Sequence, residues 1–316
     1  MNYLSTHKLK SFLVLFFCFV VFVALSQSKQ KEVVFVPYTG DTDSFVTELS
    51  NRGLIQNKFS ELVLRVILAI KGDIPAGGYE FTRGMGAVST ALAIDEPQYE
   101  YILIFDGFRK GQMGEIIGEK LGWSEEKIRE FGETEQMCGL KGDEGFLASG
   151  TYLIHKREDI EVVQETMQKT FNEVLDDLDI DEDDVSLSET ITIASLIQRE
   201  AAGKADMRII SGVIKNRLDK GMALQIDATL QYARGMEGNW WPIPRSEDKR
   251  IDSLFNTYMY EGLPPAPIAT PSKDAISAAL RPLRTDCLFY IHDSRRNIHC
   301  ATNYEQHKRN IQNYLR

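Results

Sequence analysis

The alternation of apolar and polar positions changes period repeatedly along this chain, switching between runs of period two and longer runs of period 3.6. Residues 32–36 form a β-branched run that predicts a strand, turned over 37–40. Asp43 or Ser44 can cap a helix carrying Phe45 and Leu49 that closes near Gly53, and a second helix is expected over 59–70. Residues 74–81 read as turn and strand, 89–94 as helix, 99–105 as an alternating strand and 111–121 as helix. A turn-rich stretch over 144–152 precedes a long amphipathic helix over 161–178 and an acidic run over 176–184. A helix is expected over 191–200, then one carrying Ile209, Val213 and Leu218, capped by Asp206 and stopped at Gly221. Residues 222–230 read as a loop or short strand, and 235–250 as a surface excursion with Trp240 and Trp241. Many prolines beside Asn, Tyr and Gly make 255–271 a rigid non-regular wall, because proline fixes φ and removes a donor. A short helix over 272–280, a strand over 288–292 and a final helix over 303–315 close the chain. Intermixed strands and helices of this kind predict an α+β fold.

The helix over 191–200 carries the chemistry of most interest. Ile193, Ile197 and Glu200 fall on one stripe, so an otherwise apolar face delivers a carboxylate at its end. Ser186 and Glu189 have the spacing of a capping box that starts this helix. Desolvation disfavours the charged form of such a carboxylate, which is the condition a general acid needs near neutral pH. The competing reading is a solvated or ion-paired glutamate, with Arg199 or Lys204 as partner. Glu144 is a second carboxylate of note, expected as an ordinary loop residue.

Composition narrows the function classes. The 316 residues carry 46 acidic and 36 basic side chains, a net charge of −10, which argues against a nucleic-acid partner. A neutral glycan stays compatible with that charge. Lys8 and Lys10 precede an uncharged apolar run over 12–25, so the body of the chain is expected outside the cytoplasmic membrane. The run is shorter than a full span, and Ala24-Leu-Ser26 has the form of a cleavage site, so anchor and signal peptide both stand. Of four cysteines, Cys18 lies in the run, leaving the odd set Cys138, Cys287 and Cys300. No pair has metal-ligand spacing, and neither metal nor cofactor is expected.

Ala194–Glu200, Ser211–Leu218, Met222–Leu230, Phe255–Tyr258 and Gly262–Pro271 form ordered blocks that together resemble the membrane-anchored endolytic murein transglycosylases of the YceG-like family. Ala194-Ser-Leu-Ile-Gln-Arg-Glu200 resembles that family's helix, and Ser211-Gly-Val-Ile-Lys-Asn-Arg-Leu218 its next one. Met222-Ala-Leu-Gln-Ile-Asp-Ala-Thr-Leu230, Phe255-Asn-Thr-Tyr258 and Gly262-Leu-Pro-Pro-Ala-Pro-Ile-Ala-Thr-Pro271 follow in the family's order. Upstream, Pro75-Ala-Gly-Gly-Tyr79, Glu144-Gly-Phe-Leu147 and Thr151-Tyr152 are similar to further blocks. The chain departs from the family at Gln198, Ala228 and Ala266, where Glu, Pro and Gly are usual. His299 sits one place from the family's C-terminal histidine and is not carried over.

The resemblance implies an anchor over 1–28, a LysM-like module over 32–83, a mixed connecting segment over 84–160 and a catalytic part over 161–316. It implies cleavage of the β-1,4 bond between N-acetylmuramic acid and N-acetylglucosamine in peptidoglycan, leaving 1,6-anhydro ends, with Glu200 as the catalytic acid. Gln225, Asp227, Asn256 and Tyr258 are the candidates for orienting sugar and acid, with loop-stabilising bonds as each one's alternative. Implied too are a bacterial plasma-membrane location and work beside peptidoglycan synthases, the penicillin-binding proteins. A muramidase-type hydrolase with Asp227 activating water, and a non-catalytic murein-binding scaffold, are the alternatives.

Overall fold

The computed structural model describes residues 33–133, 144–182 and 186–315. The apolar run over 12–25 lies outside these residues, and among them no helix is long and apolar enough to cross a membrane.

Two compact units share the chain, one holding residues up to Ile102 with Tyr152–Arg157, the other Leu103–Thr151 with Glu158 onward. The first contains β1 (Val33–Tyr38), α1 (Thr42–Asn51), α2 (Lys58–Lys71), β2 (Gly77–Thr82) and α3 (Ala87–Ala93). With β3 (Tyr99–Ile104) and β4 (Gly150–His155) its sheet has the order β1-β2-β3-β4. β1 and β2 pair antiparallel from Val33 opposite Thr82 to Tyr38 opposite Gly77. Pro37 lies within β1, and the missing donor is tolerated because β1 is an edge strand. Gly78 lets Phe35 and Tyr99 close over the sheet, since a Cβ there would stand 2.4 Å from the Phe35 ring. Asp41, two residues before the nearer expected cap, accepts from the Asp43 and Ser44 amides to start α1. The core gathers Val36, Phe45, Leu49, Leu64, Leu68, Tyr79 and Phe81. The boundary expected near Gly84 falls inside this unit, because α3 packs on α2 and β2.

The second unit is built around α7 (Leu187–Glu200). α6 (Ile160–Asp176), α8 (Lys204–Asp219), α9 (Asp227–Arg234) and α10 (Lys273–Leu280) contribute to the same core, with the wall loop beside them. Ile191, Ala194, Ser195, Leu196 and Ile197 are all fully buried, so α7 is covered on most sides rather than along one stripe. Ser195 explains how a hydroxyl sits there: it donates to Thr192 O (2.7 Å) and accepts from the Ile268 amide of the wall (3.0 Å). The capping box expected at the start of α7 does not form; Ser186 is itself helical in φ and ψ and makes no side-chain cap. α4 (Lys110–Leu121), α5 (Glu125–Gly132), the hairpin β5 (Phe289–His292) and β6 (Ile298–Ala301), and α11 (Tyr304–Tyr314) complete the unit. The pattern missed α5, β6 and β4, all of them short; β4 begins inside the stretch read as turn-rich.

Two further readings are corrected. Residues 227–234 form a helix rather than a loop or strand. Three cysteines outside the apolar run implied no particular pairing, yet Cys287 and Cys300 form a disulfide across the start of the hairpin. Closing a loop of that size stabilises by about 3 kcal/mol in the chain-entropy description. Reduction is accordingly expected to lower the melting temperature by several degrees, measured by calorimetry with and without a thiol reductant.

Candidate functional site

Glu200 is the last residue of α7, and the turn behind it is held from within α8. Asp206, in the first turn of α8, accepts from the amides of Ala202 (2.9 Å) and Gly203 (3.1 Å), so Gly203 rather than Asp206 is the cap position. Asp206 also binds His292 Nε2 at 2.6 Å. Two positions earlier on the same strand, and therefore on the same face, the Tyr290 hydroxyl donates to Glu200 Oε2 at 2.6 Å. The alternation Tyr290-x-His292 is the one sequence signal of this support.

Glu200 opens into a cavity of about 320 Å³ within the second unit. Gln225, Asp227 and Tyr258 line the same cavity, with Arg217, Tyr290 and His307. Thus Glu200, Gln225, Asp227 and Tyr258 line one cavity. Tyr258 donates its hydroxyl to Asp227 Oδ1 at 2.7 Å, giving the cavity two tyrosine–carboxylate pairs. Gln225 is held in the left-handed region at φ 52°, with its amide donating to Thr257 O (2.9 Å). A non-glycine residue there costs on the order of 1–2 kcal/mol, which the surrounding bonds must offset.

Asn256 is not among the cavity-lining residues. It is fully buried, donates to Lys249 O (3.2 Å) and Ile251 O (2.8 Å), and accepts from the Tyr258 amide (3.0 Å). Its geometry is that of a brace holding Tyr258 in the wall.

The rival ion pair for Glu200 is not formed. Lys204 pairs with Asp274, and the Arg199 guanidinium lies 3.7 Å from the Trp241 ring centroid. Burial is the leading cause that raises the Glu200 pKa; the Tyr290 bond opposes it, the Asp227 charge adds to it, and His292 and Arg199 oppose it. Burial and the neighbouring carboxylates likewise push Tyr258 and Tyr290 well above the ordinary phenol range, so both remain donors. Arg217, nine-tenths buried, donates to the carbonyls of Leu288 (2.7 Å) and Leu224 (2.6 Å) and tethers α8 to the hairpin. Gln198, which departs from the family pattern, accepts from the amide and hydroxyl of Ser272 at 3.0 and 2.7 Å. It ties α7 to the start of α10 by bonds that need only an acceptor.

Glu144 is not the loop residue expected. It is buried, accepts from the Lys110 amide at 2.9 Å and the Tyr232 hydroxyl at 3.4 Å, and burial raises its pKa to about 7. The Arg109 guanidinium beside it lies 4.0 Å from the Tyr232 ring centroid and 5.0 Å from that of Trp240. The tryptophans of the expected surface excursion are therefore packing partners, and Trp240 donates to Glu115 at 2.7 Å. Because the folded protein holds this proton more tightly than the unfolded chain, stability is greatest below the unfolded pKa. It falls as pH rises towards about 7, by on the order of 3 kcal/mol for a shift of this size. Glu144→Gln keeps the acceptor, so its urea midpoint is expected to lose this decline between pH 5 and 8.

The fold and cavity define a class of α+β protein organised around one hydrogen-bonded carboxylic acid at the end of a buried helix. Within that class the chain belongs to the YceG-like family, whose profile matches residues 34–313. It is 25% identical to an endolytic murein transglycosylase of Streptococcus pneumoniae, covering 92% of this chain and 59% of that protein. It is 26% identical to the endolytic murein transglycosylase of Bacillus subtilis, covering 91% of this chain and 86% of that one. The chain thus spans about three fifths of the length of the pneumococcal relative. A crystal structure of a YceG-like protein from Listeria monocytogenes shares the fold, with a TM-score of 0.57 at 23% identity over 89% of this chain and 99% of that one.

Proposed function

We propose that this protein is an endolytic lytic transglycosylase of peptidoglycan, with Glu200 as its acid. The observation that carries the reading is a single desolvated carboxyl group, bonded by Tyr290, at an open polar cavity. Glu200 protonates the glycosidic oxygen between N-acetylmuramic acid and N-acetylglucosamine as the bond to the anomeric carbon breaks. The sugar's own 6-hydroxyl then bonds to that carbon and returns its proton to Glu200. No water is consumed, which is why one carboxylate suffices where ordinary glycosidases use two. Asp227, held by Tyr258, supplies negative charge that keeps Glu200 protonated and steadies the oxocarbenium-like centre. Gln225 orients the sugar from its constrained backbone position.

A hydrolase of the same bond is the second reading, since Asp227 shares the cavity and could activate water. Mass spectrometry of products from purified murein separates the two. Anhydro ends support the transglycosylase, free reducing ends the hydrolase, and uncut strands a binding scaffold.

The first unit is read as a LysM-like module that grips the glycan. Lys8, Lys10 and the apolar run support attachment to the bacterial plasma membrane with the body outside, and the Cys287–Cys300 disulfide suits an oxidising compartment. Trimming of nascent strands beside penicillin-binding proteins is the role the family resemblance implies.

A further inference from the structure

We infer that Tyr290 is a positioning residue that selects which oxygen of Glu200 carries the reactive proton. The inference rests on the reading of Glu200 as the acid and adds to it a division of labour between its two oxygens. A phenol donating to Oε2 makes that atom the acceptor in both protonation states of the carboxyl group. The acid proton then resides on Oε1, the oxygen left to serve the substrate. Tyr290 remains a donor because burial and the adjacent Glu200 disfavour its phenolate.

The backbone is built to hold this hydroxyl still. Tyr290 stands directly opposite Cys300 in the antiparallel register of the hairpin, and Cys300 is bonded to Cys287 at the other end of the same turn of chain. Arg217 from α8 donates to the carbonyl of Leu288, just before the strand. His292, on the same face as Tyr290, is fixed by Asp206. Support therefore comes from the disulfide, from α8 and from the second strand.

Charged and titratable groups around the Glu200–Tyr290 pair are Arg199 on the acid's own helix, Asp206 and Arg217 on α8, Asp227 on α9, Tyr258 in the wall and His292 on β5; His307 of α11 lines the cavity. Two of these act on the acid with opposite sign. The Tyr290 bond favours the carboxylate, and the Asp227 charge opposes it. Tyr290→Phe, which keeps the ring, should therefore move the alkaline limb of kcat/KM to higher pH. Asp227→Asn should move it to lower pH.

The test is the pH profile of anhydro-product formation from glycan strands by the full-length wild type and both variants. For Tyr290→Phe, kcat is expected to fall about 10- to 100-fold with KM little changed, a fraction of what a general acid contributes. Infrared difference spectra between each form and its Glu200→Gln counterpart give a readout independent of turnover. The protonated carboxyl band should move to higher frequency in Tyr290→Phe, because its carbonyl loses a donor. Opposite limb shifts together with that band shift support the inference. An unmoved limb and band, with or without lower kcat, overturn it as a packing effect. A wild type that yields no anhydro ends overturns the proposed activity instead, and the carboxyl band then decides the Tyr290–Glu200 bond by itself.

Discussion

Glu200→Gln is expected to fold like the wild type and to lose at least about 1,000-fold in the rate of anhydro-product formation. General acid catalysis supplies roughly 100- to 10,000-fold, and here one group serves as both acid and base. The amide still accepts the Tyr290 hydroxyl at the position of Oε2, so the packing around the end of α7 is retained. It has no acidic proton to give. Since burial raises the Glu200 pKa, the wild type loses stability as pH rises through that value, whereas the variant does not. Equal or greater thermal stability at alkaline pH together with absent activity is the expected pair of results. Full activity in the variant would remove Glu200 from the mechanism. Asp227→Asn should reduce turnover less; a loss equal to that of Glu200→Gln would point to two carboxylates and the hydrolase.

Asn256→Ala is expected to cost about 2–5 kcal/mol of stability, a fall in melting temperature on the order of 5–15 °C. The side chain is fully buried and makes three bonds, two to the carbonyls of Lys249 and Ile251 and one from the Tyr258 amide. Truncation takes the partner from each of these three groups at a fully buried position. The effect on turnover is indirect: the Tyr258 hydroxyl loses its placement against Asp227. Differential scanning calorimetry beside steady-state kinetics checks this. An unchanged melting temperature with a raised KM would restore Asn256 as a direct sugar contact.

The positions of β1, α2, β3, α6, α10 and α11 follow from period and caps to within a few residues, because each carries its own local signal. Asn57, Ser272 and Asn303 each accept from an amide three residues on, as their types imply. Where local rules failed, a distant contact had taken over. Ser186 does not cap, and the turn after α7 is held instead by Asp206 in the following helix. Glu144 read as a loop residue because nothing nearby in sequence announces Lys110 and Tyr232.

For the site, the residue pattern was enough to show that a carboxylate ends an apolar helix and that Gln225, Asp227 and Tyr258 follow in motif blocks downstream. Family blocks are legible because their residues are contiguous. Tertiary structure alone decided which of the candidates share a cavity, that Asn256 is a brace, and that Arg199 turns away to Trp241. It alone brought Tyr290 to Glu200 across 90 residues and His292 to Asp206 across 86. Periodicity records which face of an element is buried, whereas a hydrogen bond between elements depends on their packing, which no local pattern contains.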